Sequence, residues 1–205
     1  MSKSDAALLE AWGAGDADAG NRLFDRYFLP VSRFFANKVP EEHDDLIQET
    51  FAGCLKGRDR LRDKDSFRSY VFAVASNVLR MHFRRKRTRG PAVEIDECSA
   101  HDLAPGPSTV LRAADQQQTL LDALRRLPLP LQIVTELYYW EGMRTHEIGE
   151  AVDLPTGTVR SHLRRGRALL LDAMQDPHAR GDDSALDDLD RWAHEVRETV
   201  TRSCA

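Results

Sequence analysis

Apolar residues recur every three or four positions along most of the chain, which is the spacing of amphipathic helices. In the first half this pattern predicts helices over 5–11, 16–39 and 44–55. A fourth helix begins at Phe67, where Ser66 is a suitable N-cap, and runs into a basic stretch at 84–87. Pro30 marks a bend or a restart within the second segment. These segments predict one all-helical domain, residues 1–90.

The second half predicts another helical bundle after an irregular stretch. Residues 91–108 contain Pro, Gly, Ser and acids without a helical period, which indicates a flexible linker. Helical spacing resumes over 109–127 and 130–140, and two shorter helices complete a domain of residues 109–175. Residues 176–205 form an acidic C-terminal extension with a predicted helix over 184–200, whose apolar stripe is Leu186, Leu189, Trp192, Val196 and Val200. The predicted fold class is therefore all-α, with two small helical domains, a flexible linker and a helical extension.

The segment 145–167 has the pattern of a helix-turn-helix. Asp153 falls at the sharp turn, where Asp tolerates left-handed backbone better than most residues, and Pro155 lies near the first turn of the second helix. Apolar residues share one face of each helix, and these faces are expected to bury each other: Ile148, Ala151 and Val152 in the first helix, and Val159, Leu163, Leu169 and Leu170 in the second.

The remaining face of the second helix is basic, with Arg160, Ser161, Arg164, Arg165 and Arg167. A helix of this kind fits the major groove of DNA with its N-terminal residues near base edges. We expect Arg160 and Ser161 to contact bases and Arg165 and Arg167 to contact phosphates. The alternative for this segment is an arginine face exposed to solvent on an ordinary helical hairpin.

The charge distribution favours two contacts with DNA, although the net charge of the 205 residues is −4. Residues 176–205 hold four arginines and eight acids, so they carry this whole net charge and the rest of the chain is neutral. Within that neutral part, bases cluster at 80–89 and again at 160–167. The composition is that of a globular protein, and the chain has neither a membrane-length apolar run nor the apolar core of a secretion signal. We therefore expect a cytoplasmic protein without membrane contact of its own.

Nothing in the sequence indicates an enzyme, a cofactor or a metal site. The seven histidines have no metal-ligand or catalytic-triad spacing, and no Gly-rich phosphate loop or nucleophile motif is present. Cys54, Cys98 and Cys204 are odd in number and far apart, which excludes a disulfide framework and a zinc spacing. Cys54 is best explained as a buried thiol.

Three motifs in order resemble the extracytoplasmic-function group of bacterial sigma factors, the small initiation subunits of RNA polymerase. The first is the segment Asp45 to Phe51, the second is Phe67 to Asn77 with the basic run after it, and the third is Leu154 to Leu163. The resemblance covers about residues 5 to 90 and 110 to 172. It leaves the linker and the C-terminal extension outside.

The resemblance implies a protein that performs no chemistry and binds core RNA polymerase and promoter DNA. The residues expected to bind the clamp helices of the largest polymerase subunit are Asp45, Gln48, Glu49 and Phe51. Those expected at the minus-ten element are Arg62, Lys64, Asp65, Ser66, Tyr70, Asn77, Arg80, Arg84, Arg85 and Arg87. Those expected at the minus-thirty-five element are Thr156, Thr158, Arg160, Ser161, Arg164, Arg165 and Arg167. The flap of the second-largest subunit and an anti-sigma protein are further implied partners.

The chain departs from the family pattern at two positions of the second motif. Tyr70 stands where many relatives carry Trp, and Ser76 stands where many carry Arg. Other readings of the motifs are open: the acidic residues at 45–49 also fit a solvated helix face, and the basic run also fits a helix end that favours its own macrodipole. At the level of the whole protein, the alternative is a self-sufficient helix-turn-helix regulator that finds its operator without polymerase.

Overall fold

The computed structural model describes residues 3–39, 41–57, 67–86, 98–100 and 115–173, with side chains from residue 120 onward in the last range. These residues form eight helices and one isolated β-bridge, which confirms the all-α prediction. The helices are α1 Asp5–Gly13, α2 Ala17–Ala36, α3 His43–Gly57, α4 Phe67–Lys86, α5 Asp115–Arg126, α6 Leu129–Tyr139, α7 Thr145–Val152 and α8 Thr156–Ala173. The loop 61–66, most of the predicted linker and the extension from 176 lie outside the described residues.

Helices α1 to α4 form the first unit, and its helix starts follow from local chemistry. Ser4 caps α1 by accepting a hydrogen bond from the amide of Ala7, and Asp16 caps α2 by accepting one from Ala19. Pro30 lies inside α2 without ending the helix. Aromatic rings, including Trp12, Phe24, Tyr27 and Phe67, meet edge to face in the core of this unit.

Helices α5 to α8 form the second unit, around a smaller apolar cluster. Its buried members come from three helices and the adjoining turns: Leu120, Leu121, Ala123, Leu124, Leu127, Leu131, Trp140 and Leu170. Three residues of the predicted linker belong to this unit, because the carbonyl of Cys98 accepts a hydrogen bond from the amide of Leu129 at 2.9 Å and Ser99 forms a bridge with Pro128. The part of the linker that the structure describes is therefore packed.

The two units share one continuous hydrophobic core. Helix α4 of the first unit packs against α7 of the second, and the main core includes Leu79 and Phe83 together with Ile148 and Val152. The small residues Ser69, Ala73 and Ser76 lie on one side of α4, and a neighbouring helix can approach α4 closely at this side. Ser76 is buried. The arrangement places both predicted DNA-reading helices in one compact body.

One core expectation is wrong. Leu169 was expected in the apolar stripe of α8, yet its side chain is 38% exposed. Val159, Leu163 and Leu170 are buried as expected. At 100° per residue, Leu169 lies well to one side of the stripe that those three residues define, so it faces outward.

Candidate polymerase and nucleic-acid interfaces

The turn between α7 and α8 has the geometry of a helix-turn-helix. Asp153 adopts a left-handed conformation with φ 56°, as expected, and the amide of Leu154 donates to the carbonyl of Gly149 at 2.9 Å. A Cβ at Gly149 would lie 2.7 Å from the carbonyl oxygen of Leu154, so only glycine fits there. The carbonyl of Pro155 then accepts the first amide bonds of α8. This turn fixes the angle at which α8 leaves the body of the protein.

The outer face of α8 presents polar and basic side chains to solvent. Arg160, Ser161, Arg164 and Arg165 are exposed, while Thr156 and Thr158 near the start of the helix are half-buried. Helix α8 is anchored on the opposite side, where Gly166 lies against Thr135 so closely that a Cβ would come within 2.6 Å of its hydroxyl oxygen. The arginine face is therefore displayed on a rigidly held helix.

Arg167 differs from the other arginines of α8. Its guanidinium carbon lies 5.4 Å from the centre of the Tyr139 ring, and the side chain is half-buried. This contact is a cation–π interaction between α8 and α6. Arg167 therefore packs within the second unit, whereas the sequence suggested a phosphate contact for it.

On α4, the expected minus-ten residues divide between two faces. Tyr70, Asn77 and Arg84 are seven residues apart, and Arg80 lies near them, so the four share one side of the helix. Asn77 and Arg84 are exposed, and Arg80 is half-buried. Tyr70 donates a hydrogen bond to the carbonyl of Cys54 at 3.4 Å, which holds its ring against the end of α3.

Arg85 lies on the other face of α4 and pairs with α3. Its guanidinium lies 3.1 Å from the carboxylate of Glu49. A residue expected to bind DNA is therefore paired with a residue expected to bind polymerase. The next residue, Lys86, lies 2.6 Å from Glu42, and this hydrogen bond lowers the pKa of Glu42. The imidazole of His82 lies 3.5 Å from the carboxylate of Glu42, and burial lowers the pKa of His82.

The expected polymerase-binding residues share α3 but differ in exposure. Asp45 and Gln48 are exposed. Phe51 is half-buried, and its ring lies 4.9 Å from that of Phe24 on α2. Cys54 is a free, buried thiol, as expected, and burial raises its pKa to about 12. The apolar side of α3 packs on α2 and α4, which leaves the polar side of α3 exposed to solvent.

Five of the expected minus-ten residues lie outside the described residues: Arg62, Lys64, Asp65, Ser66 and Arg87. The other DNA-binding and polymerase-binding candidates are all in the described part of the chain. Across that part, no three His, Cys, Asp or Glu side chains are grouped as metal ligands. Of the helices in the same ranges, none has the length and apolar character needed to cross a membrane.

Sequence reasoning missed an interdomain charge cluster, which consists of Arg33, Lys38, Glu136 and Glu141. All four side chains are buried between α2 and the second unit. A signal for them exists in the sequence, because Lys38 and Glu136 each lie in a short stretch whose other residues are mostly apolar, 34–39 and 133–137. Charged residues at such positions are rarely buried unless they are paired.

Both units match models of known protein families. The family model described as sigma-70 region 2 matches residues 26–89, and the one described as sigma-70, region 4 matches residues 117–170. The chain is 25% identical over 181 residues to the ECF RNA polymerase sigma-E factor of Escherichia coli strain K12, which covers 84% of this chain and 95% of that protein. The sigma-E factor of Haemophilus influenzae has the same identity, with 96% of its length covered.

A solved structure has the same fold. It is described as CnrH in complex with the cytosolic domain of CnrY, with a TM-score of 0.60 and 23% sequence identity. The match covers 92% of this chain and 99% of that one. Together with the two family models, these matches show that the chain belongs to the extracytoplasmic-function RNA polymerase sigma factors, which are transcription initiation factors and not enzymes.

Proposed function

We propose that this sigma factor binds core RNA polymerase through α3 and reads a two-part promoter with α4 and α8. The observation that carries the proposal is the exposed basic face of α8, which a glycine-dependent turn holds away from the protein body. A helix so presented has the shape and charge to enter the major groove. The polymerase binds the first unit and brings both readers to the same promoter.

At the minus-thirty-five element, α8 enters the groove by its N-terminal half. Arg160 and Ser161 contact base edges. Thr156 and Thr158 lie near the DNA backbone that borders the same groove. Arg164 and Arg165 bind phosphates. Each phosphate contact increases the affinity for DNA, and this increase becomes smaller as the salt concentration rises. Arg167 contributes by holding α8 on Tyr139, in addition to any phosphate contact.

At the minus-ten element, the face of α4 that carries Asn77, Arg80 and Arg84 lies along the opening duplex. Tyr70 stands at one end of this face as a flat ring for stacking on an unpaired base. The loop with Arg62, Lys64, Asp65 and Ser66 receives flipped bases, for which the unstacking cost is a few kcal/mol. Arg85 and Arg87 bind the backbone at the other end.

Docking on polymerase uses the acidic side of α3. The exposed Asp45 and Gln48, with Glu49 beside them, offer hydrogen-bond acceptors to basic side chains on the clamp helices of the largest subunit. Phe51 sets the rotation of α3 by packing on Phe24. The second unit binds the flap of the second-largest subunit, which places α8 upstream of α4.

Run-off transcription with purified core polymerase, on the promoter of this protein's own gene, tests the docking face. We expect the triple variant Asp45→Ala/Gln48→Ala/Glu49→Ala to lose specific transcripts while keeping the helical circular dichroism of wild type. The matched control is Asp18→Ala/Asn21→Ala/Asp25→Ala, which removes a similar exposed polar set from one side of α2. This control is expected to transcribe like wild type.

Two results would contradict the proposal. Equal loss in both triple variants would show a general effect of surface charge. Tight, specific DNA binding by the free protein, with no transcript in the presence of polymerase, would instead favour the self-sufficient helix-turn-helix regulator.

A protein regulator is a further part of the proposed function. The fold matches CnrH, which was solved with the cytosolic domain of CnrY, and we infer that an anti-sigma protein binds this chain in the same manner. A purified partner of this kind should form a stoichiometric complex and abolish run-off transcription. Transcription that persists in the presence of the complex would exclude an inhibitory role.

A further inference from the structure

Helix α4 exposes an apolar side chain on the side that also carries Asn77 and Arg84. Of the large apolar side chains that the structure describes in α4, Met81 is the exposed one, at 50%. It lies four residues after Asn77 and three before Arg84, and both of these side chains are exposed as well. This spacing places the three residues in one row along the helix. Asn77, Met81 and Arg84 are the outer ridge of α4.

The apolar groups beside the outer ridge are already in use by α3. Tyr70 donates to the carbonyl of Cys54, and its hydroxyl lies directly over Gly57, where a Cβ has no room. Val74 packs in the same way on Gly53, where a Cβ would lie 2.8 Å from the valine Cγ1. Both side chains are partly buried and pack on the main core. The free apolar surface of α4 is therefore concentrated at Met81.

Positive charge on both sides of Met81 favours a nucleic acid as the ligand of the outer ridge. Arg80 directly precedes Met81, and the basic run begins at Arg84, one turn later. Phosphates are the groups that such arginines bind. An apolar side chain between phosphate-binding residues points at the bases that the phosphates connect. A protein partner would have to match the same positive charge and offers no stack of aromatic rings for the methionine.

We propose that Met81 is an apolar wedge, which enters the base stack at the upstream edge of the minus-ten element and helps the duplex to open. The inference rests on the proposed function, in which α4 lies along this element. Proteins that distort DNA insert apolar side chains, including Met, between neighbouring base pairs and partly unstack them. The thioether of methionine is polarisable and makes favourable contacts with aromatic rings, so it can replace part of the lost stacking.

The position of Met81 along α4 agrees with the upstream edge. The second unit lies upstream of α4 in the proposed function, and the chain leaves α4 toward that unit after Lys86. Met81 is 11 residues after Tyr70, which is about 16 Å along the helix axis. This distance corresponds to about five stacked bases at about 3.4 Å each. Tyr70 is thus placed for an unpaired base inside the element, and Met81 for the junction with the duplex.

Two other roles for Met81 predict different results. An apolar side chain in the major groove can contact the methyl group of thymine, which reads one base and leaves the stack intact. A methionine that only contributes to the packing of α4 affects stability and has no effect on DNA. A test of the wedge therefore has to measure the unstacking of bases.

The kinetics of promoter opening by holoenzyme provide this test, on the promoter of this protein's own gene. The probe is 2-aminopurine in place of single adenines in the minus-ten element, because its fluorescence rises when the base leaves the stack. We expect Met81→Ala to slow this rise by about 3- to 10-fold, which is the loss of one contact between sulfur and base. Met81→Leu keeps an apolar wedge and should open the promoter within about two-fold of wild type.

The matched control is Leu169→Ala, which removes an exposed apolar side chain from the last turns of α8. This control is expected to open the promoter at the rate of wild type. Circular dichroism and thermal unfolding check that each variant keeps its fold. An opening rate of Met81→Ala equal to that of wild type would overturn the wedge, and so would an equal slowing by Leu169→Ala.

A template with a preformed mismatch bubble over the minus-ten element separates opening from the other steps of initiation. Unstacking costs least for bases that are already unpaired. Met81→Ala should therefore transcribe the bubble template like wild type and remain slow on the duplex template. An equal defect on both templates would place the effect in folding or in polymerase binding and would refute the wedge.

Replacement of the thymines in the element by uracil tests the contact with a methyl group. Uracil keeps the base pairing and lacks the methyl group, so a wedge should be indifferent to the replacement. We expect Met81→Ala to slow opening by the same factor on both DNAs. If uracil slows wild type and has no effect on Met81→Ala, the residue reads a thymine and is not a wedge.

The same experiments distinguish the wedge from the proposed function. No specific transcript by wild-type holoenzyme from either template would refute the proposed function and the wedge with it. Transcription of the duplex template at equal rates by wild type and Met81→Ala would refute the wedge alone and leave the sigma-factor role intact.

Discussion

Arg85 of α4 donates to both carboxylate oxygens of Glu49 on α3, at 3.1 and 3.4 Å. The pair links the helix expected at the minus-ten element to the helix expected at polymerase. Both side chains are about half exposed, at 57% and 44%. Exposed ion pairs contribute little to stability, so either residue can exchange its partner for an external one at small cost.

A double-mutant cycle on this pair measures that cost. We expect Glu49→Gln and Arg85→Gln each to change the free energy of unfolding by less than about 1 kcal/mol, with a coupling energy below about 1 kcal/mol. Urea unfolding followed by circular dichroism gives the four stabilities. A coupling energy above about 2 kcal/mol would mean that the pair is a structural element and that binding of polymerase or DNA has to break it.

Gly149→Ala should destabilise the helix-turn-helix, because the added Cβ would meet the carbonyl oxygen of Leu154 at 2.7 Å. Backbone cannot move aside as a side chain can, and we expect a loss of about 1–3 kcal/mol in the free energy of unfolding. Gly157→Ala is the matched control, since a Cβ there meets nothing within 4 Å and alanine favours a helix by up to about 1 kcal/mol. Chemical unfolding of both variants provides the comparison, and equal stabilities would contradict the turn geometry described above.

Arg164 and Arg167 should respond differently to truncation, although both belong to α8. Arg164 is exposed, so Arg164→Ala should weaken promoter binding by holoenzyme and reduce the salt-dependence slope by about 1. Arg167→Ala removes the contact with Tyr139 and should lower the unfolding free energy of the second unit by about 0.5–1 kcal/mol. Binding isotherms over a salt series and thermal unfolding distinguish the two effects. The assignment fails if Arg164→Ala leaves the slope unchanged.

His82 should make stability depend on pH below neutrality. Burial lowers its pKa in the folded protein, against the opposing effect of Glu42, while Lys86, Glu49 and Arg85 also face the ring. The unfolded chain therefore takes up the proton first, at a pKa of about 6.5. This contribution to stability is complete above about pH 6.5 and is lost as the pH falls toward the folded-state pKa.

His82→Gln should flatten the stability profile in that interval. Urea unfolding between neutral pH and about pH 3 provides the profile for wild type and variant. The decline below about pH 4.5 should persist in the variant, because the lowered pKa of Glu42 makes its own contribution disappear there. An unchanged slope between pH 6.5 and 5 would show that His82 is not the responsible group.

The Cys54 thiol should resist alkylation in the folded protein. Its pKa of about 12 leaves almost no thiolate at pH 8, and the side chain is inaccessible. Mass spectrometry after treatment with iodoacetamide should find Cys54 modified only in denaturant, with the half-buried Cys98 as the internal comparison. Rapid modification of Cys54 in buffer would indicate that α3 separates from α4 on that timescale.

Local pattern was sufficient to predict the helices that the structure describes and the helix-turn-helix with its left-handed turn at Asp153. It was also sufficient to predict the buried thiol at Cys54. These features depend on residues a few positions apart. The interdomain charge cluster depends on Arg33 and Glu141, which are 108 residues apart, and no local period links them. For the same reason Glu49 and Arg85 were each assigned to an external partner, although they are each other's neighbours across two helices.

The hydrogen bond from the amide of Leu129 to the carbonyl of Cys98 limits how far the start of α6 can lie from the end of α4. A fully extended chain from residue 86 to residue 98 spans at most about 40 Å. Any rearrangement that carried the two helix ends farther apart than that would have to break this backbone contact first.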